Sequence, residues 1–520
     1  MAIPTEIVGS RRQLLKNSTG ILISRVLTTL VAFISIPIIV GELGIEGYGT
    51  WESILAVSLL TNIFQGTMSG TLLWLVSNAF GLKDIDSVRQ YIRMAVFVSL
   101  ILFAVVAPTA WYGRYFLVHL FNVPPEFALI AAKILPCIVG LMLLSSIFEI
   151  FGSVISGFQR AGATTLTLAV AAIVNNVLVI ICLIVGFGFW SLLVGFVSGF
   201  LISAVGLYFI AIRVAGSFSL LPLLPTRSVL IKVLPYAGFI FLGALSMALR
   251  EQTDKIILSS VASPIWTGYY GIASRMAMLV PMICTFFYVP TIAASGALHS
   301  NRDLDGINSL YDDVMLATSF LVGLVVVLIA GMHDRLVLLW IGRAIPEIDL
   351  ILYLMLISNT VAVLLTGTGS SICKGMGLIR AETIYIIIGL VLNIILKIFL
   401  VPLVGAIGTV IASSVSWTIS SIVFVLLFHK QISLPFSTTL KAVKTLLIIS
   451  VCVLVARGLT FVFPVEADRL SVLFSLVFLG LSLTMLFTLL MVFSKVLPLQ
   501  VVHQSWLFFR TKISNGLTKS

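Results

Sequence analysis

The chain has 520 residues, of which 60% are apolar and only 10% are charged, and its mean hydropathy is +1.18. A soluble domain carries about 25% charged residues, so this composition excludes a protein whose surface faces water throughout. The net charge of +11 does not indicate nucleic acid as a partner, because Lys and Arg accumulate in the cytoplasmic loops of membrane proteins. We therefore expect an all-α polytopic protein with lipid as its main solvent.

The first predicted element is a membrane span at residues 18–40, preceded by the cations Arg11, Arg12 and Lys16. This apolar run is longer than the 7–15 residues of a signal peptide, so it predicts a retained first helix. One span takes about 20 apolar residues, and the chain has room for about 14. The predicted spans are residues 18–40, 54–80, 91–112, 127–152, 164–185, 190–212, 233–257, 266–293, 312–331, 350–368, 383–401, 405–428, 445–463 and 470–492.

The distribution of Lys and Arg predicts the orientation of these spans. With the N-terminus inside, 20 of the 31 cations fall in inside segments and four in outside loops. This bias places both termini, residues 1–17 and 493–520, in the cytoplasm. The longest predicted outside loop, about 331–349, is too short for a domain with its own core, so any activity is expected among the helices.

Two weak similarities relate the halves of the chain. Tyr48 lies in a Gly-rich stretch after the first helix and Tyr269 in one after the seventh, 221 residues apart, while Asn176 and Asn393 lie in matching helices 217 residues apart. Such offsets predict a six-helix repeat of the kind found in transporters, and chance similarity among Gly-rich loops is the alternative. The predicted architecture is an N-lobe (18–228) and a C-lobe (229–437) around a central cavity, with helices 13 and 14 at 438–492.

Several cations lie within predicted spans, where each costs at least about 2.5–3.5 kcal/mol on insertion scales. Arg25 shares a small, polar helix face with Ser and Thr residues, and Arg250 and Arg275 lie on similar faces of helices seven and eight. With Lys255, these arginines are predicted to line a cationic cavity that captures an anionic head group, because guanidinium matches phosphate oxygens in geometry. The seven cations are Arg25, Lys133, Arg250, Lys255, Arg275, Lys397 and Arg457.

These charges also have structural interpretations. Arg250 and Asp254 are spaced i,i+4, as are Glu251 and Lys255, so each pair could neutralise itself. Lys133 and Lys397 could extend to the interface, and Arg457 is interpreted as structural. Glu149, on a face of small polar residues in helix four, is expected to be an ion relay or a counter-ion to an arginine, and Asp254 is a second candidate for that role. Glu52 is expected to be an exposed helix cap.

The chain lacks the common motifs of phosphate-binding loops, zinc proteases and serine hydrolases. Its five cysteines and five histidines are far apart in sequence, so the pattern indicates neither a disulfide framework nor a metal site. We therefore expect no cofactor, no metal, no direct ATP hydrolysis and no enzymatic activity.

Four stretches at the expected helices carry a family resemblance: 44–51 (GIEGYGTW), 252–258 (QTDKIIL), 268–271 (GYYG) and 339–342 (LWIG). In this order the chain resembles the polysaccharide-transporter branch, the Wzx-type O-antigen flippases, of the multidrug/oligosaccharidyl-lipid/polysaccharide exporter (MOP) superfamily. The resemblance covers nearly the whole chain. It implies two six-helix lobes, alternating access, and a bacterial or archaeal cytoplasmic (inner) membrane.

The same resemblance implies a substrate: a polyprenyl-pyrophosphate-linked oligosaccharide, such as an O-antigen unit of lipopolysaccharide. Implied partners are this lipid-linked oligosaccharide, membrane lipid, and a polysaccharide polymerase with its chain-length machinery. Drug exporters of the superfamily tend to place acids in the first or second helix, whereas the first helix here has Arg25, which favours the glycan substrate. The alternatives are a cation-coupled multidrug exporter of the same fold and a polytopic glycan polymerase or ligase.

Overall fold

The computed structural model describes residues 11–81, 84–158, 160–216, 221–224, 227–378, 380–432, 436–462 and 469–497, and these residues form helices without any strand. The all-α fold is therefore confirmed. The helices are α1 Arg11–Ala56, α2 Leu59–Gly81, α3 Ile85–Leu120, α4 Pro125–Gly157, α5 Ala161–Ile184, α6 Trp190–Ala215, α7 Arg227–Val261, α8 Pro264–Ala277, α9 Leu279–Ser300, α10 Leu304–Ile341, α11 Ile348–Ala362, α12 Thr368–Met376, α13 Arg380–Val404, α14 Ile407–Ile432, α15 Ser437–Val462 and α16 Arg469–Phe493.

Twelve stretches within the described residues are long and apolar enough to cross a membrane. Two of them combine neighbouring helices: α8 with α9, and α11 with α12 through the π-helical turn Val363–Gly367. Helices α2 and α7, with 23 and 35 residues, are also long enough to cross and give the predicted number of spans. The chain is thus a polytopic membrane protein.

Helices α3 and α10 begin in the same way. The carboxylate of Asp84 accepts a hydrogen bond from the amide of Ser87, and that of Asp303 accepts one from the amide of Gly306. Each bond satisfies an amide that has no partner inside its own helix. A second bond, from the Ser87 hydroxyl, is the main reason why the pKa of the Asp84 carboxyl is held below its usual value. The two caps are 219 residues apart (303 − 84), between the two offsets that predicted the repeat.

In each half of the chain an asparagine packs against the following helix. The side chain of Asn393 in α13 donates to the hydroxyls of Ser413 and Ser416 in α14. In the first half, Asn175 packs against Gly195 of α6 so closely that a methyl group there would lie 2.9 Å from its amide oxygen. Asn176, which the sequence comparison aligned, instead bonds to its own helix at Ala172, so the structural match is shifted by one residue.

The described residues group into two compact units, Met1–Gly271 and Ile272–Ser520. In the first unit, a core of buried apolar side chains joins α2, α3, α4 and α6, with Phe151 and Val154 of α4 fully buried. In the second, α10 is buried against α15 and α16, and Gly323 allows the ring of Phe487 to approach its backbone. The lobe boundaries 18–228 and 229–437 remain a prediction.

Two predicted loops are helical. Residues 41–53 were expected to connect spans, but α1 continues through a break at Gly44 (φ 72°) to Ala56. The predicted outside loop 331–349 is also wrong for most of its length, because α10 continues to Ile341 and only 342–347 connect it to α11. In both places charged residues lie in a helix that is packed on protein, which a hydropathy pattern cannot distinguish from a loop.

Candidate functional site

The segment of α1 that follows Gly44 packs closely on α8 through glycines. A methyl group on Gly49 would overlap the carbonyl oxygen of Pro264, and one on Gly268 would lie 2.7 Å from the carbonyl oxygen of Ile45. Gly271 similarly makes room for Tyr48, which would lie 3.0 Å from a methyl group there. The Gly-rich stretches of the sequence therefore mark a contact between helix backbones.

Replacing Gly49 with alanine tests this contact. Because the obstacle is backbone and cannot rotate away, we expect the free energy of unfolding to fall by about 3 kcal/mol, the upper part of the range for overpacking. Gly41→Ala, in the same helix, is the matched control: nothing lies within 4 Å of the added methyl group. Thermal and denaturant unfolding of the detergent-solubilised protein should separate the two variants, and equal stabilities would contradict the close packing.

An ion pair lies within this contact. The ammonium of Lys255 in α7 is 2.7 Å from Oε2 of Glu52 in α1, and the Tyr48 hydroxyl donates to Oε1 of Glu52 at 2.9 Å. Glu52 is only 2% exposed, so the expectation of an exposed cap is wrong. Both oxygens of this carboxylate thus have partners, as a buried charge requires.

A second buried carboxylate lies nearby. Asp254 is 3% exposed and accepts a hydrogen bond of 3.2 Å from the hydroxyl of Tyr270 in α8. Tyr48 and Tyr270 come from the two Gly-Tyr stretches of the sequence, and each donates to a carboxylate of α1 or α7. These stretches therefore supply both close backbone packing and the hydrogen bonds that hold two acids inside the protein.

The predicted cationic residues are found in different settings. Arg250 is half-buried in α7, and Lys255 is ion-paired with Glu52. Arg275 is exposed near the end of α8, in the second unit. The backbone of Arg25 is helical, but its side chain lies outside the described residues, as does that of Glu251. Their role in binding a substrate stays a prediction.

Glu149 lies in the interior of the first unit. Its carboxylate lies near the side chain of Gln65 in α2. Nearby hydroxyls on α4 are satisfied by their own helix: Ser146 donates to the carbonyl of Leu143 and Ser153 to that of Glu149.

Three cations of the second unit are held by protein. Arg457 in α15 contacts Asp334 at 2.5 Å and Asp349 at 3.8 Å, which confirms its structural interpretation. Arg335, expected in a loop, is fully buried in α10 and donates to the Ser475 hydroxyl of α16. Lys397 is only 6% exposed, so it does not extend to an aqueous surface as expected.

The comparisons with solved structures concern the fold. The chain is similar to the lipid II flippase MurJ in an inward closed conformation, with a TM-score of 0.66 and 16% identity over 92% of this chain and 99% of that one. It is also similar to an inward-facing multidrug resistance MATE family transporter of the MOP superfamily, with a TM-score of 0.59 and 16% identity over 83% of this chain and 97% of that one. The fold is therefore that of MOP-superfamily transporters.

The sequence comparisons identify the family. An uncharacterized membrane protein of Methanocaldococcus jannaschii, MJ1375, is 24% identical over 415 residues, which are 78% of this chain and 95% of that protein. The model of the polysaccharide biosynthesis protein family matches residues 14–296, more than half of the chain. The chain belongs to the polysaccharide biosynthesis protein family and has the fold of the MOP-superfamily transporters.

Proposed function

We propose that this protein is a flippase that moves a polyprenyl-pyrophosphate-linked oligosaccharide, such as an O-antigen or another surface polysaccharide unit, across the cytoplasmic membrane by alternating access. The observation that carries the proposal is membership of a polysaccharide biosynthesis family in a chain with the fold of a transporter. A protein of that fold has no need of an enzyme's active site to serve polysaccharide synthesis, because moving the lipid-linked intermediate is itself a required step.

The substrate proposal rests on charge. A pyrophosphate carries negative charge into the protein, and Arg25, Arg250 and Arg275 lie in helices where an arginine needs a partner or water. We assign these arginines to the phosphates, which guanidinium binds with two parallel hydrogen bonds. Lys255 is a weaker candidate, since a phosphate would have to compete with Glu52 for its ammonium at 2.7 Å. The polyprenyl tail stays in membrane lipid.

Glu149 is proposed as the ion relay or counter-ion of transport. It lies inside the first unit, where the side chain of Gln65 in α2 is near its carboxylate. A carboxylate at such a position gains or loses a proton or cation at a cost that depends on helix packing, so it can couple an ion to a change of conformation.

We also propose that both termini lie in the cytoplasm, and that a polysaccharide polymerase and its chain-length machinery are partners.

The flippase function is tested directly in proteoliposomes. A labelled polyprenyl-pyrophosphate oligosaccharide is incorporated, and a membrane-impermeant glycan-modifying enzyme reports how much of it is in the outer leaflet. We expect protein-dependent equilibration between leaflets, whereas protein-free vesicles should keep about half of the label protected. In cells, deletion should accumulate the lipid-linked saccharide on the inner leaflet. Equal protection with and without protein would contradict the proposal.

A second candidate is export of drugs coupled to a cation, because the fold is shared with a multidrug resistance MATE family transporter. It would be favoured if deletion changed drug sensitivity without a defect in surface glycan. Energised vesicles should then accumulate a fluorescent cationic drug, and the saccharide assay should be negative.

A further inference from the structure

The strongest unassigned feature of the second unit is a group of three possible metal ligands where α10 ends and α11 begins. Nε2 of His333 lies 2.6 Å from Oδ1 of Asp334 and 3.0 Å from Oδ1 of Asp349. All three ligand atoms lie within 4.8 Å of one another. His333 is 1% exposed, while the two aspartates are about one-third exposed, so the group is closed on one side and open to solvent on the other.

The imidazole is oriented by its other nitrogen. Nδ1 of His333 lies 3.1 Å from the carbonyl oxygen of Ala330 in the preceding turn of α10, and as a donor it fixes the tautomer that leaves Nε2 with a lone pair. The hydroxyl of Tyr353 donates to the same carbonyl at 3.1 Å. A histidine that donates one nitrogen to a backbone carbonyl and presents the other to carboxylates is the common arrangement of a metal ligand and its outer-shell partner.

The angles at Nε2 favour a metal ion over a proton. Although both carboxylate oxygens are close, neither lies in the direction of a hydrogen on Nε2, and this buried nitrogen makes no hydrogen bond. When one ion binds all three groups, the ion lies on the lone-pair axis of the nitrogen, and the carboxylate oxygens lie to the side of that axis. If an ion lay about 2.1 Å from each atom, the nitrogen–ion–oxygen angles would be roughly 75–90°. These angles are close to the angle between neighbouring octahedral positions.

The outer oxygens of the same aspartates are held by Arg457. Its guanidinium contacts Oδ2 of Asp334 at 2.5 Å and Oδ2 of Asp349 at 3.8 Å, which leaves both Oδ1 atoms directed at His333. The arginine belongs to α15, so the carboxylates join three helices. A cation at this outer position orients the carboxylates and reduces the net charge that an ion must balance.

We propose that His333, Asp334 and Asp349 form a binding site for a divalent first-row transition-metal ion. One imidazole and two carboxylates suit such an ion better than Mg²⁺ or Ca²⁺, which prefer oxygen ligands alone. The ion links the end of α10 to the start of α11 across the short connection 342–347. Water or a phosphate oxygen can complete the coordination on the side where the two aspartates are partly exposed.

The test uses the full-length protein in detergent, stripped with a chelator and titrated with ZnCl₂ or MnCl₂ alone. We expect one equivalent of bound Zn²⁺ per chain and a rise in the midpoint of thermal unfolding. His333→Ala and the nearly isosteric Asp349→Asn should each weaken binding by at least about 10- to 100-fold, the effect of losing even an outer-shell partner. Size-exclusion chromatography shows whether each variant is folded.

His299→Ala is the matched control, because His299 is exposed and remote in sequence from the site. This variant should bind Zn²⁺ as the unaltered protein does. Loss of binding in the control but not in Asp349→Asn would identify adventitious surface binding and overturn the proposal. Absence of stoichiometric binding in the unaltered protein would also overturn it, and the group would then be a histidinium ion pair held by a proton.

Discussion

Replacing Arg25 with glutamate (Arg25→Glu) is expected to abolish transport of the lipid-linked saccharide, while the protein still inserts in the membrane. The added carboxylate repels the pyrophosphate where the arginine attracts it. Arg250→Ala and Arg275→Ala should each reduce head-group binding by roughly 10- to 100-fold, since a hydrogen bond to a charged group contributes about 1.5–3 kcal/mol. Complementation of a flippase-null strain and the proteoliposome assay measure these effects.

Lys133→Ala is the control for the arginine variants. Lys133 also lies within a span, in α4, but it is exposed and has no assigned role in binding. It should complement fully at the same level of membrane-inserted protein. If Arg25, Arg250 and Arg275 could each be replaced by alanine with full activity, the cationic binding mechanism would be wrong, whatever the substrate.

The membrane fold could be predicted because each span is a run of about 20 apolar residues, which is visible in the sequence alone. The errors lie where charged residues are buried in protein instead of exposed to water. Glu52 and Arg335 were both read as parts of polar connections, yet they are 2% and 0% exposed within helices. A hydropathy pattern reports the polarity of a segment and not what surrounds it, so α1 and α10 extend further than the sequence indicated.

Partners distant in sequence were the second source of error. The i,i+4 spacing suggested only Glu251 as a partner for Lys255 and could not indicate Glu52, which is 203 residues away and binds the ammonium of Lys255. In the same way, the sequence spacing could not show that His333 and Asp349 meet, which they do because only six residues connect α10 to α11. A neighbouring His-Asp pair followed by an aspartate shortly beyond a helix end was the signal that could have suggested this group.

Glu52→Gln is expected to destabilise the protein by about 3–5 kcal/mol, the cost of removing one partner of a buried ion pair. The glutamine keeps the shape of the side chain and can still accept the hydrogen bond from Tyr48. It deprives the ammonium of Lys255, whose side chain is only 16% exposed, of the negative charge of Glu52. The free energy of unfolding in detergent and the midpoint of thermal unfolding measure this loss.

The exposed pair of Asp86 and Arg89 provides the control, since its side chains are 91% and 46% exposed. Asp86→Asn should change stability by no more than about 1 kcal/mol. A double variant, Glu52→Gln with Lys255→Met, should recover most of the loss, because removing both charges of a buried pair is often close to neutral. Additive losses in the double variant would show that the two side chains do not interact.

The same variants distinguish a structural Lys255 from one that binds substrate. If the lysine serves only Glu52, transport by the double variant should recover together with its stability. If the lysine instead holds a phosphate, the double variant should regain stability but remain defective in transport, and the charge-conserving Lys255→Arg should retain part of the activity. Since Glu52 occupies the ammonium at 2.7 Å, we expect the first result and assign phosphate binding to the three arginines.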